Sequence, residues 1–229
     1  MKEILRDIAS LVDFTLLKPE STWEDIKKLC DDAVKYGCAS VCIPPCFVKD
    51  AKKYVENRIP ICTVIGFPNG YSAQYVKASE AREAIFDGAD EVDMVINIGK
   101  VKEKDWKYVE DEIRAVCNIC RASAKEVYEK HVVVKVIIET CLLTEEEKVK
   151  MCEIVAASDA DYIKTSTGFS TGGATVEDVE LFKKYLNGNA KIKAAGKIRT
   201  PDVARAMIEA GADRLGISSV DAFSVEVSD

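Results

Sequence analysis

Short runs of β-branched and other apolar residues alternate with helical patterns from one end of the 229-residue chain to the other. Most runs are continuously apolar, which is typical of parallel strands covered by helices on both faces. The predicted strands are Val12–Leu17, Ala39–Ile43, Ile61–Phe67, Glu91–Asn97, Val132–Glu139, Tyr162–Thr167, Lys191–Ala195 and Arg214–Ser218. Their spacing is that of repeated strand–helix units. Eight such units predict an α/β fold, a single (β/α)8 TIM barrel.

The barrel is expected to occupy residues 1–229 as one domain, because no linker or low-complexity segment interrupts the pattern. An open, doubly wound sheet is the alternative, since periodicity does not reveal whether a sheet closes. The segment Glu3–Val12 predicts an extra N-terminal helix over one end of the barrel. Only ten residues follow Ser219, so the eighth outer helix is expected to be short or absent.

Helix start signals support this assignment. Ser21 with Glu24 and Thr144 with Glu147 predict capping boxes, in which a hydroxyl and a carboxylate satisfy the first backbone N–H groups of a helix. Thr200 precedes a proline and predicts a further helix start.

Charge and composition exclude several classes of protein. The chain has 39 acidic and 32 basic residues and a net charge of −7, which argues against a nucleic-acid partner. No apolar run approaches the roughly 18–20 residues of a membrane helix, and no targeting segment is predicted at the N-terminus. We therefore expect a cytoplasmic protein without a membrane partner.

The nine cysteines and the single histidine limit the chemistry. The cysteines lie inside apolar segments, so most are expected to be buried free thiols that behave as small hydrophobic residues. The CxxC pair Cys117–Cys120 has no second pair, and no metal site or cofactor is predicted. One histidine also argues against Ser–His–Asp hydrolysis.

Two lysines lie where burial is costly. Lys164 and Lys193 each sit in an apolar strand, on the sixth and seventh predicted strands. A buried ammonium is unfavourable unless it is paired, so such a position indicates either a structural ion pair or a functional amine. Adjacent strands lie about 4.8 Å apart, so the two amines are expected to be close together. One of them should then lose its proton more readily and could attack a carbonyl group.

Other polar residues are expected at the same end of the barrel. Asp93 lies within the fourth predicted strand, which is also apolar. Its position predicts an inward carboxylate that either relays protons or serves as a counter-ion for a lysine. Glycine and hydroxyl residues follow the last strands, in Ser166–Gly168, Thr171–Gly173, Gly196–Lys197 and Ser218–Ser219. These turns match the usual phosphate site of barrels, which favours a small anionic substrate.

At YIKTSTGFSTGGAT the chain resembles the deoxyribose-phosphate aldolases, a class I aldolase family. The resemblance extends through VDFTLLKP, CIPP, CTVIGFPNG, EVDMVINIGK, KVIIET, KAAGKIRT and RLGISS. It implies reversible cleavage of 2-deoxy-D-ribose 5-phosphate to acetaldehyde and D-glyceraldehyde 3-phosphate, without metal or cofactor. It also implies a homo-oligomer, a dimer or tetramer.

The resemblance also implies roles for individual residues. Lys164 would form the Schiff base, Lys193 would promote loss of its proton and assist proton transfer, and Asp93 would be a second proton-relay group. The implied substrate-binding residues are Asp13, Thr15 and Cys42 near the sugar, and Thr167, Gly168, Gly196, Ser218 and Ser219 near the phosphate.

Three positions depart from the family pattern. Phe14 replaces a histidine, Lys197 replaces the second of two glycines, and Val220 replaces a glycine after Ser-Ser. The Lys197 side chain could crowd the phosphate site, or its ammonium could bind the phosphate. The alternatives that stay open are a barrel lyase or isomerase acting on another phosphosugar, and a relative that has lost catalysis.

Overall fold

The computed structural model describes residues 2–127 and 131–226. Eight parallel strands form a closed barrel in chain order, which confirms the predicted (β/α)8 architecture and excludes the open sheet. A short antiparallel pair of strands, β1 (Lys2–Ile4) and β10 (Ser224–Glu226), joins the two ends of the chain outside the barrel. The barrel strands are β2 (Val12–Thr15), β3 (Ser40–Ile43), β4 (Ile61–Ile65), β5 (Glu91–Val95), β6 (Val133–Ile137), β7 (Tyr162–Lys164), β8 (Lys191–Ala195) and β9 (Arg214–Ile217).

Helices cover the outer face of the barrel and alternate with its strands. They are α1 (Arg6–Ala9), α2 (Trp23–Tyr36), α3 (Val48–Val55), α4 (Gln74–Phe86), α5 (Ile98–Lys102), α6 (Trp106–Val127), α7 (Glu145–Ala156), α8 (Val176–Leu186) and α9 (Pro201–Ala210). Among the residues that the structure describes, no helix has the length and hydropathy needed to span a membrane.

All eight predicted barrel strands are present, but most end earlier than predicted. The sequence pattern extended β7 to Thr167, whereas the strand ends at Lys164. The difference arises because apolar and hydroxyl residues continue past the point where strand pairing stops. The residues between the strand ends and the following helices therefore form the loops at the C-terminal end of the barrel, where active sites of this fold lie.

The two chain ends differ in part from prediction. Residues 3–12 do not form one helix, because residues 2–4 pair with residues 224–226 and the helix covers only Arg6–Ala9. After β9 a 3-10 turn, Val220–Phe223, replaces the eighth outer helix, as the few remaining residues predict.

The helix start signals are largely confirmed. Thr144 and Glu147 form a capping box, and Thr200 caps α9. The box at α2 is wrong by one residue, since Thr22 and Asp25 form it instead of Ser21 and Glu24. Ser21 and Glu24 also consist of a hydroxyl residue followed three positions later by an acidic residue. The local pattern therefore does not distinguish them from Thr22 and Asp25.

Candidate active site

Strand register brings the charged residues of neighbouring strands to the same depth inside the barrel. Lys164 of β7 pairs with Lys193 of β8, and Asp93 of β5 pairs with Lys135 of β6. Side chains alternate between the two faces of a strand, so residues at matching positions point the same way. The predicted proximity of Lys164 and Lys193 is therefore confirmed at the level of the backbone.

Asp93 is the centre of the interior charges. Its Oδ2 lies 2.7 Å from Nζ of Lys164 and 2.7 Å from Nζ of Lys193. Its Oδ1 lies 2.9 Å from Nζ of Lys135 and 3.2 Å from Sγ of Cys62. One carboxylate oxygen thus lies between the two amines that the sequence singled out. The lysines are linked by a shared counter-ion rather than facing each other directly.

Asp13 is the second carboxylate of the interior. It pairs with Lys193, and its Oδ1 accepts hydrogen bonds from Arg214 at 2.5 Å and from Ser40 at 2.7 Å. Glu91 completes the set by pairing with Lys135 and lying 3.4 Å from Arg214. The interior charge cluster comprises Asp13, Glu91, Asp93, Lys135, Lys164, Lys193 and Arg214.

Mutual attraction outweighs burial in most of this cluster. Burial raises the pKa of Asp93, but Lys135, Lys164 and Lys193 together lower it by a larger amount. The pKa of Asp93 is therefore well below its ordinary value. Asp13 behaves the same way beside Lys193 and Lys135. Burial lowers the pKa of Lys193, but Asp13 and Asp93 raise it above its ordinary value. The two carboxylates and Lys193 are therefore held in their charged forms at neutral pH.

Lys164 is the amine of the cluster that reaches open space. Lys135 and Lys193 are 0% exposed, whereas Lys164 is 3% exposed and lines a cavity of about 600 Å³. The cavity lies at the C-terminal ends of β2, β7, β8 and β9. Of the three lysines of the cluster, only Lys164 lines this cavity and can contact a carbonyl compound that enters it.

Most of the predicted substrate-binding residues border the same cavity. Thr15, Thr167, Gly168, Gly196, Lys197 and Ser218 line it. Gly196 has a φ of 83°, and a Cβ there would lie 3.1 Å from Cα of Gly173, so the two loops approach too closely for a side chain. The structure brings these residues together as the sequence predicts.

Four predicted substrate-binding residues are placed differently. Asp13 and Cys42 are 0% exposed and are not among the residues lining the cavity. Ser219 is not among the residues lining the cavity, and its hydroxyl contacts Asp221 at 3.0 Å. Thr167 lines the cavity, but both its N–H and its hydroxyl are directed to the Glu139 carboxylate. The predicted contact of Ser219 and Thr167 with phosphate stays a prediction.

Cys42 and Cys62 form an apolar wall with Val64, Leu17 and Phe67. The sulfurs of the two cysteines and a carboxylate oxygen of Asp93 lie within 4.8 Å of one another, a spacing that could hold a metal ion. Three lysine amines surround that carboxylate, however, and their charges disfavour a cation there. The donor set fits the pairing of lysines better than the binding of a metal.

Sequence reasoning missed part of the cluster. Lys135 lies in an apolar strand and carried the same signal as Lys164, so it could have been found. Glu91 and Arg214 begin their strands, where a charged residue ordinarily faces solvent. Their inclusion depends on strand register across the closed barrel, which the local sequence does not reveal.

A family model described as DeoC/LacD family aldolase matches residues 7–219. The chain is 53% identical over 216 residues to the deoxyribose-phosphate aldolase of Clostridioides difficile strain 630, covering 94% of each chain. It is also 53% identical over 216 residues to that of Thermococcus gammatolerans, covering 93% of each.

The solved structures that superpose well on this chain are also aldolases. The aldolase QR15 superposes with a TM-score of 0.87 at 38% identity, covering 95% of this chain and 94% of that one. A tetrameric deoxyribose phosphate aldolase from Aeropyrum pernix superposes with a TM-score of 0.85 at 30% identity, covering 95% and 89%.

Proposed function

Because the chain belongs to the DeoC/LacD family of aldolases and is a carbon–carbon lyase, we propose that its substrate is 2-deoxy-D-ribose 5-phosphate. The products are acetaldehyde and D-glyceraldehyde 3-phosphate, and the reaction is reversible. Lys164 is the amine that forms the Schiff base with the sugar.

The charge of the interior cluster carries this proposal. It contains four cationic side chains, those of Lys135, Lys164, Lys193 and Arg214, and three carboxylates, those of Asp13, Glu91 and Asp93. With every group ionised, the cluster holds one more positive charge than negative charge. Uncompensated charge is unfavourable in a buried site, so loss of one proton relieves it.

The numbers of ion pairs support Lys164 as the group that gives up that proton. Lys193 pairs with two carboxylates, and Lys135 contacts three. Lys164 pairs with Asp93 alone. Arginine keeps its proton throughout the accessible pH range. Loss of the Lys164 proton therefore breaks the fewest ion pairs and leaves three cations with three carboxylates.

The neutral amine of Lys164 attacks the C1 carbonyl of the open-chain sugar. Loss of water from the resulting carbinolamine gives an iminium, which withdraws electrons from the C2–C3 bond. The C3 hydroxyl loses its proton as that bond breaks, so C3 becomes the carbonyl of glyceraldehyde 3-phosphate. Protonation of the enamine at C2 and hydrolysis then release acetaldehyde and the amine.

Asp93 and Lys193 are the groups that move protons in this sequence. Asp93 Oδ2 lies 2.7 Å from both Lys164 Nζ and Lys193 Nζ, so a proton can pass between the two amines through one oxygen. Both groups are excluded from bulk water, which strengthens their effect on the bound intermediate.

The lining of the cavity supports an anionic substrate. Among the residues that the structure describes, it includes Lys18, Lys197 and Arg199 in addition to Lys164, and no aspartate or glutamate. This contrasts with the net charge of −7 of the chain. The local excess of cations attracts a phosphorylated sugar despite the overall negative charge. The phosphate lies near Gly168, Gly196 and Ser218, and the sugar hydroxyls lie towards Thr15, Asp13 and Cys42.

We also propose that the chain forms a homo-oligomer and acts in the cytoplasm. The tetrameric relative from Aeropyrum pernix supports the first statement. Size-exclusion chromatography with light scattering tests it, and a monomer at micromolar concentration would contradict it.

Product analysis tests the proposed reaction. The protein is incubated with 2-deoxyribose 5-phosphate, and acetaldehyde and glyceraldehyde 3-phosphate are measured separately. We expect equal amounts of both from the wild-type protein and neither from Lys164→Arg. A ketose phosphate as the product would indicate an isomerase, and no product from folded wild-type protein would indicate a barrel without this activity.

A further inference from the structure

Two side chains from neighbouring strands hold the loop that follows β7. This β7–α8 loop, residues 165–175, contains Thr167 and Gly168 beside the cavity. Glu139 lies just after β6 and contacts the loop on one side. Lys197 lies just after β8 and contacts it on the other.

Glu139 contacts the start of the loop through Thr167. Its carboxylate oxygens lie 3.3 and 3.4 Å from the Thr167 backbone nitrogen, and its Oε2 accepts a hydrogen bond from the Thr167 hydroxyl. The residue is 2% exposed, and no lysine or arginine in residues 2–127 or 131–226 forms an ion pair with it. Its Oε1 also lies 3.9 Å from Sγ of Cys141. A buried carboxylate that only neutral donors satisfy is costly, so its presence calls for a function.

Lys197 contacts the middle of the loop. Its Nζ donates a hydrogen bond of 2.6 Å to the backbone carbonyl of Thr171. In the sequence, this lysine replaces a glycine of the family pattern. Its ammonium is directed to the loop, so the first effect of the replacement is a contact between the loops after β7 and β8.

Glu139 and Lys197 both have a positive φ, a backbone conformation that residues other than glycine rarely adopt. Glu139 has a φ of 53° and Lys197 a φ of 63°. The other non-glycine residues with positive φ in the described part of the chain lie at the ends of helices, where that conformation is common: Glu56, Asn57, Lys104 and Asn187. Glu139 and Lys197 instead follow strands, on either side of β7. Strained residues of this kind persist where their side chains are needed.

We propose that Glu139 and Lys197 are positioning residues that clamp the β7–α8 loop around the anionic end of the substrate. This inference rests on the proposed function. The Thr167 donors are bound to Glu139, so Thr167 orients Gly168 and does not itself bind the phosphate. Glu139 holds the loop even though its negative charge lies close to the site of an anion.

The direction in which the KM changes when Glu139 is replaced distinguishes a clamp from a purely electrostatic effect. Replacing Glu139 removes a negative charge beside an anion site, and by Coulomb's law alone the KM for the phosphorylated sugar should fall. If Glu139 acts as a clamp, the KM should rise because the loop loses its anchor. Glu139→Gly removes the contacts of the carboxylate with the Thr167 N–H and hydroxyl and relieves the strained φ, whereas Glu139→Gln keeps one acceptor oxygen.

We expect the KM for 2-deoxyribose 5-phosphate to rise about tenfold in Glu139→Gly, corresponding to the loss of hydrogen bonds to a charged group. A smaller rise is expected in Glu139→Gln. The kcat should change less than about threefold, and the KM for unphosphorylated 2-deoxyribose should stay unchanged. Glu56→Gly is the matched control, since it makes the same replacement at a φ of 49° at the end of α3. It should leave both KM values unchanged.

Lys197→Gly should also raise the KM for the phosphorylated sugar. The double variant Glu139→Gly/Lys197→Gly should raise it by less than the product of the two single effects, because both side chains hold one loop. A lower or unchanged KM in Glu139→Gly, or an equal rise for the unphosphorylated sugar, would overturn the proposal.

Hydrogen exchange keeps the clamp testable if the protein proves to have a different substrate. In the protein without substrate, backbone amides of residues 165–175 should exchange at least about fivefold faster in Glu139→Gly than in the wild type. Glu56→Gly should exchange at the wild-type rate there. Unchanged exchange in that loop in Glu139→Gly would refute the clamp, whatever the reaction.

Discussion

The interior charge cluster and the Lys77–Glu112 pair both bury charge, but the net shifts of their carboxyl pKa values have opposite signs. Lys77 on α4 and Glu112 on α6 lie 2.6 Å apart and are 0% exposed, in the helical layer outside the barrel. Burial lowers the pKa of Lys77 and raises that of Glu112, and their mutual attraction does not reverse either shift. In the interior cluster, by contrast, the carboxyl pKa values of Asp13 and Asp93 are lowered.

The number of partners explains the difference. Asp93 contacts three amines, whereas Glu112 contacts one, together with the backbone N–H of Asn97 at 2.6 Å. Several attractions together exceed the cost of burial, and a single one does not. The pair is balanced in charge, while the cluster holds one extra positive charge when every group is ionised. We infer that this excess is what makes one lysine of the cluster reactive.

The largest expected effect is that of Lys164→Met. It should lower kcat at least about 10⁴-fold, since the attacking group is lost. The free energy of unfolding should not decrease, because the substitution leaves three cations paired with three carboxylates in the cluster. Steady-state kinetics and urea unfolding measure the two quantities. A large loss of stability together with the loss of activity would mean that Lys164 is a structural cation like Lys77.

Lys77→Met should show the opposite behaviour. Glu112 would be left buried without its cation, so the free energy of unfolding should fall by about 3 kcal/mol. The kcat should stay within about threefold of the wild type. Adding Glu112→Gln should restore part of the stability, since the uncompensated charge is then removed. If the single variant unfolds at the wild-type urea concentration, the pair contributes nothing to stability.

Lowering the pH should affect the stability contributions of the interior charge cluster and of the Lys77–Glu112 pair differently. Asp13 and Asp93 have pKa values below those of the unfolded chain, so the stability they provide is complete above about pH 5 and is lost as the pH falls towards their folded pKa values. We expect a loss of about 2 kcal/mol between pH 5 and pH 3. Urea unfolding across this range measures the loss.

Glu112 should act in the other direction. Its pKa is raised on folding, so its proton uptake favours the folded state as the pH falls. Glu112→Gln should therefore lose stability more steeply with acid than the wild type does. A shallower decrease in the variant would show that the assigned direction of the Glu112 shift is wrong.

The smallest effect should come from Ser40→Ala. Ser40 donates one hydrogen bond of 2.7 Å to Asp13, which keeps Lys193 and Arg214 as partners after the substitution. The free energy of unfolding should fall by about 1 kcal/mol. A loss comparable to that of Lys77→Met would contradict the view that multiple partners make the cluster tolerant of losing one.

The sequence allowed the barrel and the centre of the site to be predicted because both leave local signals. Continuous apolar runs mark buried parallel strands, and Lys164, Lys193 and Asp93 are charged residues inside such runs. Lys135 carries the same signal, since it too is a charged residue inside an apolar run. The pairing of β1 with β10 joins segments at opposite ends of the chain, and neither segment is long enough to have a recognisable pattern.

The contacts within the site could not be predicted in the same way. That Asp93 lies between two amines depends on register across four strands, and that Glu91 and Arg214 join them depends on closure of the barrel. The role of Glu139 was hidden for another reason. It follows an apolar strand as many solvent-exposed glutamates do, and only its burial and positive φ distinguish it.

Borohydride trapping tests the central claim most directly. The protein is incubated with 2-deoxyribose 5-phosphate and sodium borohydride, and the added mass is located by peptide mass spectrometry. The charge count of the interior cluster predicts a reduced adduct on Lys164 and none on Lys135, Lys193 or Lys77. An adduct on Lys193 or Lys135, or no adduct on any lysine of the folded protein, would contradict it.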